Sequence, residues 1–204
     1  MSDRIFFTGG AAALAAVGAA FFLYSQSANS ALAAEDGPGP NLVIEVGGQA
    51  QGKVVIDLLP DVAPKHVAQI VALAKAGAYN DVVFHRVIDG FMAQTGDVQY
   101  GKAGGDLTLA GTGASDMPNI PAEFSNLPFL RGVVGMARSS DPDSANSQFF
   151  IMFAPGDFLN GQYTVVGHVV EGMDVVDKIK RGDPDLNGAV VDPDKMVNVV
   201  VTDK

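Results

Sequence analysis

The feature that most constrains this chain is the way its apolar residues are punctuated. Between Asn41 and Thr202 most of them fall in runs of five to eight residues with strand character, bounded by glycine, proline, aspartate or asparagine. Residues 41–46 and 53–58 read as a hairpin around a glycine-rich turn. Residues 82–88, 91–95, 130–137, 148–153, 163–170 and 197–202 read as further strands. Two stretches change period. In residues 60–77, Val67, Ile70, Val71 and Ala74 recur at three and four, Pro64 suits a first turn and Gly77 a stop. Residues 171–180 place Met173, Val176 and Ile179 on one stripe. Many short strands, two helices and no strand–helix–strand alternation predict a mainly antiparallel barrel.

Residues 1–34 stand apart. Arg4 precedes residues 5–24, a run of twenty residues without a charge, and Ala31-Leu32-Ala33 supplies the small-x-small pattern that a signal peptidase needs. Twenty residues also suffice to cross a bilayer. The segment reads as a cleaved signal peptide or as an uncleaved membrane tether through residues 5–24. Either makes the protein periplasmic or otherwise exported, in the second case anchored to the inner membrane. Residues 35–40, with Gly37-Pro38-Gly39-Pro40, read as a linker, and residues 41–204 as one domain.

The formal charge is −10, and residues 1–34 hold only Asp3 and Arg4, so the domain keeps that balance. It argues against nucleic acid or an anionic membrane surface as partner. The absence of cysteine excludes disulfides, thiolate metal sites, a cysteine nucleophile and a lipoprotein anchor.

Arg86 is the residue that most needs explaining. Strand parity puts it with Val82 and Phe84 on one face and His85 with Val83 and Val87 on the other. A permanent cation among apolar side chains is costly, and a buried ion pair, a snorkelling side chain or a function could each account for it. On residues 148–153 parity separates Gln148, Phe150 and Met152 from Phe149, Ile151 and Phe153. His66, His85 and His168 lack paired-ligand spacing, which argues against a metal site, and His85 reads as a satisfied core histidine. The glycines of residues 101–113 fit neither a dinucleotide fingerprint nor a phosphate loop, and Ser139, Ser140, Ser144 and Ser147 form no nucleophile elbow. Asp183-Pro184-Asp185-Leu186-Asn187-Gly188, with Asp194 at the twelfth position, comes close to a calcium loop. Pro193 disfavours the helix that should follow, and a turn-rich loop before the last strand is the plainer reading.

Three blocks resemble the diagnostic stretches of the cyclophilin-type peptidyl-prolyl cis-trans isomerases. They are Phe84-His85-Arg86-Val87-Ile88-Asp89-Gly90-Phe91-Met92-Ala93-Gln94-Thr95-Gly96-Asp97, then Gly135-Met136-Ala137-Arg138 through Asn146-Ser147-Gln148-Phe149-Phe150-Ile151, then Phe158-Leu159-Asn160-Gly161-Gln162-Tyr163 through Gly167. The resemblance covers residues 41–202. It implies an eight-stranded antiparallel closed barrel with two capping α-helices, a packed interior and a site on the outer wall. It implies rotation about X–Pro bonds without cofactor or metal, in proline-containing polypeptides, here during folding of exported proteins.

By the same resemblance Arg86 is the catalytic group, and Gln94 orients it and binds the substrate backbone. Phe91, Met92, Phe150, Leu159 and Tyr163 form the proline slot, while Ala137, Arg138 and Gln148 form the groove for the residues before proline. Phe158 stands where well-studied eukaryotic members carry a tryptophan that helps bind cyclosporin, which implies weak cyclosporin binding. Tyr163 replaces a histidine there, and Arg138 an asparagine. A cyclophilin-like binding module or holdase that grips proline segments without turnover is the alternative. The joint presence of Arg86, Gln94 and Phe150 favours the enzyme.

Overall fold

The computed structural model describes residues 35–203. The expected signal or tether in residues 1–34 lies outside the described residues, and among those no helix is long and apolar enough to cross a membrane. Strands β1 (Asn41–Gly47) and β2 (Gly52–Leu58) form the expected hairpin, paired from Asn41↔Asp57 to Val46↔Gly52. Residues 35–40, read as a linker, lie along β2. The Gly37 amide donates to Asp57 Oδ2 (3.0 Å) and the Leu58 amide to the Pro40 carbonyl (3.0 Å).

Helix α1 (Pro64–Lys75) starts with proline in its first turn, and Gly77 follows its end at φ 69°. It begins at Pro64, as expected, after residues 59–63 form a separate turn closed on the Leu59 carbonyl. Its N-cap residue, Ala63, has no side chain able to satisfy the free amides. Glu123 does so from a distant loop, accepting from the Lys65 and His66 amides (each 3.1 Å) and lying 2.7 Å from His66 Nδ1.

Partial burial raises the Glu123 pKa, but the His66 imidazole and the two amides outweigh it and leave the carboxyl below its usual value. A depressed carboxylate stabilises the fold above its unfolded-state pKa, and that contribution is lost as pH falls through the folded value. Glu123→Gln should therefore cost stability at neutral pH, and the gap to wild type should narrow below about pH 4.3, the ordinary glutamate value. Denaturant titrations across that range test this, and a gap indifferent to acid would count against it.

The remaining elements are β3 (Val82–Val83), β4 (Arg86–Ile88), β5 (Met92–Thr95), β6 (Val133–Met136), β7 (Phe149–Met152), β8 (Val165–Glu171), α2 (Met173–Val176) and β9 (Lys195–Thr202). They form a nine-stranded sheet in the order β3-β9-β1-β2-β8-β6-β7-β5-β4, every pair antiparallel. The mainly antiparallel β-architecture with two helices is as expected, although α2 is a single turn preceded by Gly172 at φ 89°.

The closed eight-stranded barrel is not what forms. The stretch read as one strand over residues 82–88 is broken at Phe84-His85, with β3 pairing to β9 and β4 to β5. The two ends of the ladder are thus halves of one extended segment, joined by covalent chain and not by hydrogen bonds. At the break, the Phe84 amide donates to the Asp194 carbonyl and the Val87 amide to the Gly188 carbonyl, each at 2.8 Å. Loops also cover both ladder ends. β3 is flanked by the Val83-to-Gly101 and Ala103-to-Asp81 bonds (each 2.8 Å), and β4 receives the Gly182 amide on the Val87 carbonyl (2.9 Å).

The break also reverses side-chain parity. Val82, Phe84 and Val87 all enter the main core, so Arg86 does not share a face with Val82 and Phe84, contrary to the uninterrupted alternation. Along β7 the alternation holds. Phe149, Ile151 and Phe153 belong to the main core, and Phe150 and Met152 to a second apolar cluster with Met92, Phe129, Leu159 and Val165.

Candidate active site

Register assembles the site. Arg86 pairs with Gln94, Gln94 with Phe150, and Phe150 with Gly135, so one row crosses β4, β5, β7 and β6 on a common face. A second row, Ile88, Met92 and Met152, runs beside it. Gly135 is required by its neighbours, since a Cβ there would come within 2.5 Å of Phe129 and 2.6 Å of Phe150.

Three neutral acceptors hold the half-buried Arg86. Nη1 donates to Gln94 Oε1 (3.2 Å), Nε to the Asn187 carbonyl (3.1 Å) and Nη2 to Asn187 Oδ1 (3.1 Å). Met92 Sδ lies 3.9 Å from Nη1. Among the described residues no carboxylate forms an ion pair with it. Partial burial draws its pKa down, with Tyr163 acting in the opposite sense, and the guanidinium stays ionised.

Behind Gln94 runs a polar relay whose direction is fixed by chemistry. Asp97 is fully buried. One of its oxygens accepts from the Gln99 and Tyr100 amides (3.1 and 2.9 Å), the other from the Gly111 and Gly113 amides (2.7 and 2.9 Å). The Gly111 and Gly113 carbonyls then accept from Gln148 Nε2 at 3.1 and 2.8 Å. Carbonyls only accept, so the Gln148 amide must turn its oxygen to Gln94 Nε2 (3.0 Å). Gln94 in turn must present its own oxygen to Arg86. Gly111 has φ 98°, and a Cβ there would approach His85 Cδ2 to 3.0 Å, so the loop needs glycine on both counts.

Beside the guanidinium lies an aromatic slot. Phe150 stacks on Phe129 (5.8 Å, 24°) and meets the Tyr163 ring edge-on (6.0 Å, 80°). Met92, Phe150 and Leu159 are buried in this cluster, and Phe91, Ala137 and Tyr163 pack against it partly exposed. Phe158 leans on Phe91 (5.4 Å) with 65% of its surface exposed, which makes it rim rather than wall. Arg138 lies over the Tyr163 ring at 4.3 Å, tied to the Ser139 and Gln162 carbonyls (each 2.8 Å). The Ala137 amide donates to the Gln148 carbonyl (2.9 Å). The eleven residues singled out in the sequence therefore lie together, with the Arg86 guanidinium at one side of an apolar, aromatic-lined slot.

The structure adds residues that sequence reasoning missed. Phe129 completes the slot, Asp97 braces the relay, and Asn187 holds Arg86. The signal for Asn187 was its Asn-Gly dipeptide, a left-handed turn pair observed at φ 54° and 79°. The calcium-loop pattern around it does not assemble. Asp194 turns inward, accepting from the Ala50 (3.0 Å) and Lys180 (2.7 Å) amides, and Asp183 caps the Asp185 amide (2.9 Å). Among the described residues no group of three His, Cys, Asp or Glu side chains is arranged for a metal. His85 is buried, yet its ring nitrogens reach no partner at hydrogen-bonding geometry. Burial pushes its pKa down, and Asp97 opposes this.

Residues 42–201 match the family model described as "Cyclophilin type peptidyl-prolyl cis-trans isomerase/CLD". Over 185 residues the chain is 56% identical to a Brucella suis biovar 1 protein described as a probable peptidyl-prolyl cis-trans isomerase, covering 90% of this chain and 92% of that one. Among solved structures, the cyclophilin AquaCyp293 from Hirschia baltica matches with a TM-score of 0.65 and 27% identity, over 80% of this chain and 74% of its own. A Cryptosporidium parvum cyclophilin-type isomerase, crystallised in the presence of the dipeptide Ala-Pro, matches with a TM-score of 0.68 and 25% identity, over 80% and 99%.

Proposed function

The chain belongs to the cyclophilin-type peptidyl-prolyl cis-trans isomerase family, and we propose that Arg86 is the group through which it lowers the barrier to X–Pro rotation. That barrier, about 18–20 kcal/mol, is maintained by amide resonance. Rotation makes and breaks no covalent bond, so an enzyme need only bind the twisted amide more tightly than either planar form. Twisting localises the lone pair on the prolyl nitrogen, and an N–H donor of Arg86 stabilises it there. The slot of Met92, Phe150, Leu159 and Tyr163 holds the proline ring and excludes water, which favours the less polar twisted state. Gln94 keeps the guanidinium in place and offers a polar edge to the substrate backbone.

The observation that carries this reading is a charged guanidinium held only by neutral acceptors beside an aromatic slot. Proline-limited refolding with wild type and Arg86→Ala tests it, and equal acceleration by both would refute it.

We propose further that its clients are exported proteins. Support comes from residues 1–34, with their uncharged span and Ala31-Leu32-Ala33 pattern. Mass determination of the protein from each cell fraction separates cleavage near Ala33 from retention as a tether, and full-length chain confined to the cytosol would overturn both.

We infer weak cyclosporin binding from Phe158, at the position where the family resemblance implies a tryptophan in well-studied members. Phe158→Trp should tighten inhibition by cyclosporin, and a wild type already inhibited at low nanomolar concentrations would contradict that expectation.

A further inference from the structure

We propose that Asn187 is a positioning residue for Arg86, orienting the guanidinium without neutralising it. The proposal rests on the role of Arg86 stated above. Asn187 takes Nε with its backbone carbonyl and Nη2 with its side-chain oxygen, so a single residue grips the guanidinium at two points. Together with Gln94 and Met92 Sδ, which both face Nη1, it leaves the second N–H of Nη2 uncommitted and available to a substrate.

The grip depends on a backbone conformation suited to asparagine. At φ 54° Asn187 is left-handed, a region that asparagine tolerates better than most residues. The loop that delivers it is fastened on both sides of Arg86, with the Val190 amide donating to the His85 carbonyl (3.2 Å) before it and two bonds to Val87 after it. The Gly182 amide donates to the Val87 carbonyl (2.9 Å) and the Val87 amide to the Gly188 carbonyl (2.8 Å). Arg181 pairs with Asp89 at 2.9 Å and lies 3.9 Å over the Phe153 ring. Gly188 lies so close that a Cβ would come within 2.5 Å of Ile88.

The chemistry of the grip is selective. The same loop carries Asp183 and Asp185, yet it presents an amide to the cation while Asp183 is spent on a backbone N–H. A carboxylate in that place would bind the guanidinium more strongly and cancel much of the field it directs at the twisting amide. A neutral acceptor fixes orientation and keeps the charge available.

The test compares Asn187→Gly, which keeps the left-handed backbone and its carbonyl, with Asn187→Asp, which keeps size and an acceptor but adds charge. With a tetrapeptide substrate, Asn187→Gly should lower kcat about tenfold with KM little changed, in line with the cost of loosened orientation. Asn187→Asp should lower kcat at least as much although the acceptor is retained. Asp185→Ala on the same loop should remain at wild-type rate. In an Arg86→Ala background Asn187→Gly should cost nothing further, which a merely structural role would not predict. Wild-type kcat in Asn187→Gly beside an impaired Arg86→Ala would overturn the role of Asn187 alone. Wild-type kcat in Asn187→Asp would overturn the requirement for neutrality. An active Arg86→Ala would remove the reading of Arg86 itself.

Discussion

Replacing Arg86 with alanine should lower kcat/KM for X–Pro isomerisation by about 10²–10³, with little change in melting temperature. The magnitude follows from removing one preorganised donor aimed at a developing electron pair, worth about 2.7–4 kcal/mol at other enzyme sites. Stability should be spared because the side chain is half-buried, forms no ion pair among the described residues, and leaves behind acceptors on Asn187 that water can reach. Some rate enhancement should survive, since the slot still binds the proline ring and excludes solvent. Arg86→Lys should recover only part of the loss, because a point charge cannot engage Gln94 and both oxygens of Asn187 together. Refolding of a proline-limited substrate and a peptide assay provide the rates, and thermal melts the control. An alanine variant within twofold of wild type would end the assignment.

The second large effect should come from a residue that touches no substrate. Asp97→Ala removes the acceptor for four backbone amides at once, those of Gln99, Tyr100, Gly111 and Gly113. Each buried amide left unpaired costs about 1–3 kcal/mol, and local relaxation will recover part of the sum. A loss of about 3–5 kcal/mol is expected, which puts this substitution among the most damaging single changes. At this chain length it should lower the melting temperature by roughly 10 °C.

Activity should fall as well, even where the variant is folded, because the Gly111 and Gly113 carbonyls then lose the position that orients Gln148. Asp97→Asn, which retains one acceptor oxygen, should lie between. A melting temperature unchanged in Asp97→Ala would show that the glycine-rich loop is organised by something else.

What could be read from the sequence was what depends on near neighbours. Pro64 and Gly77 bracket α1 because their backbone preferences act locally. The parity of residues 148–153 separates core from slot because β7 is paired on both sides and stays regular. What could not be read depends on partners far along the chain. The break at Phe84-His85, which turns Arg86 away from the main core, is made by carbonyls of Asp194 and Gly188. The cap of α1 comes from Glu123, 58 residues from Lys65, and the grip on Arg86 from Asn187, 101 residues away. The acidic residues that suggested calcium are ordinary turn formers, and only Asp194, turned inward onto two amides, reveals that their spacing serves the backbone.

The loops laid along β3 and β4 have a bearing on how such a protein handles unfolded chains. With the Val87 backbone already bonded to Gly182 and Gly188, and Val83 to Gly101, neither margin of the sheet can recruit a passing polypeptide as an extra strand. In the site proposed above, a client would be gripped by one proline ring and the residues around it. It cannot use the catalyst as a template for its own sheets, so it leaves as free to choose its fold as when it arrived.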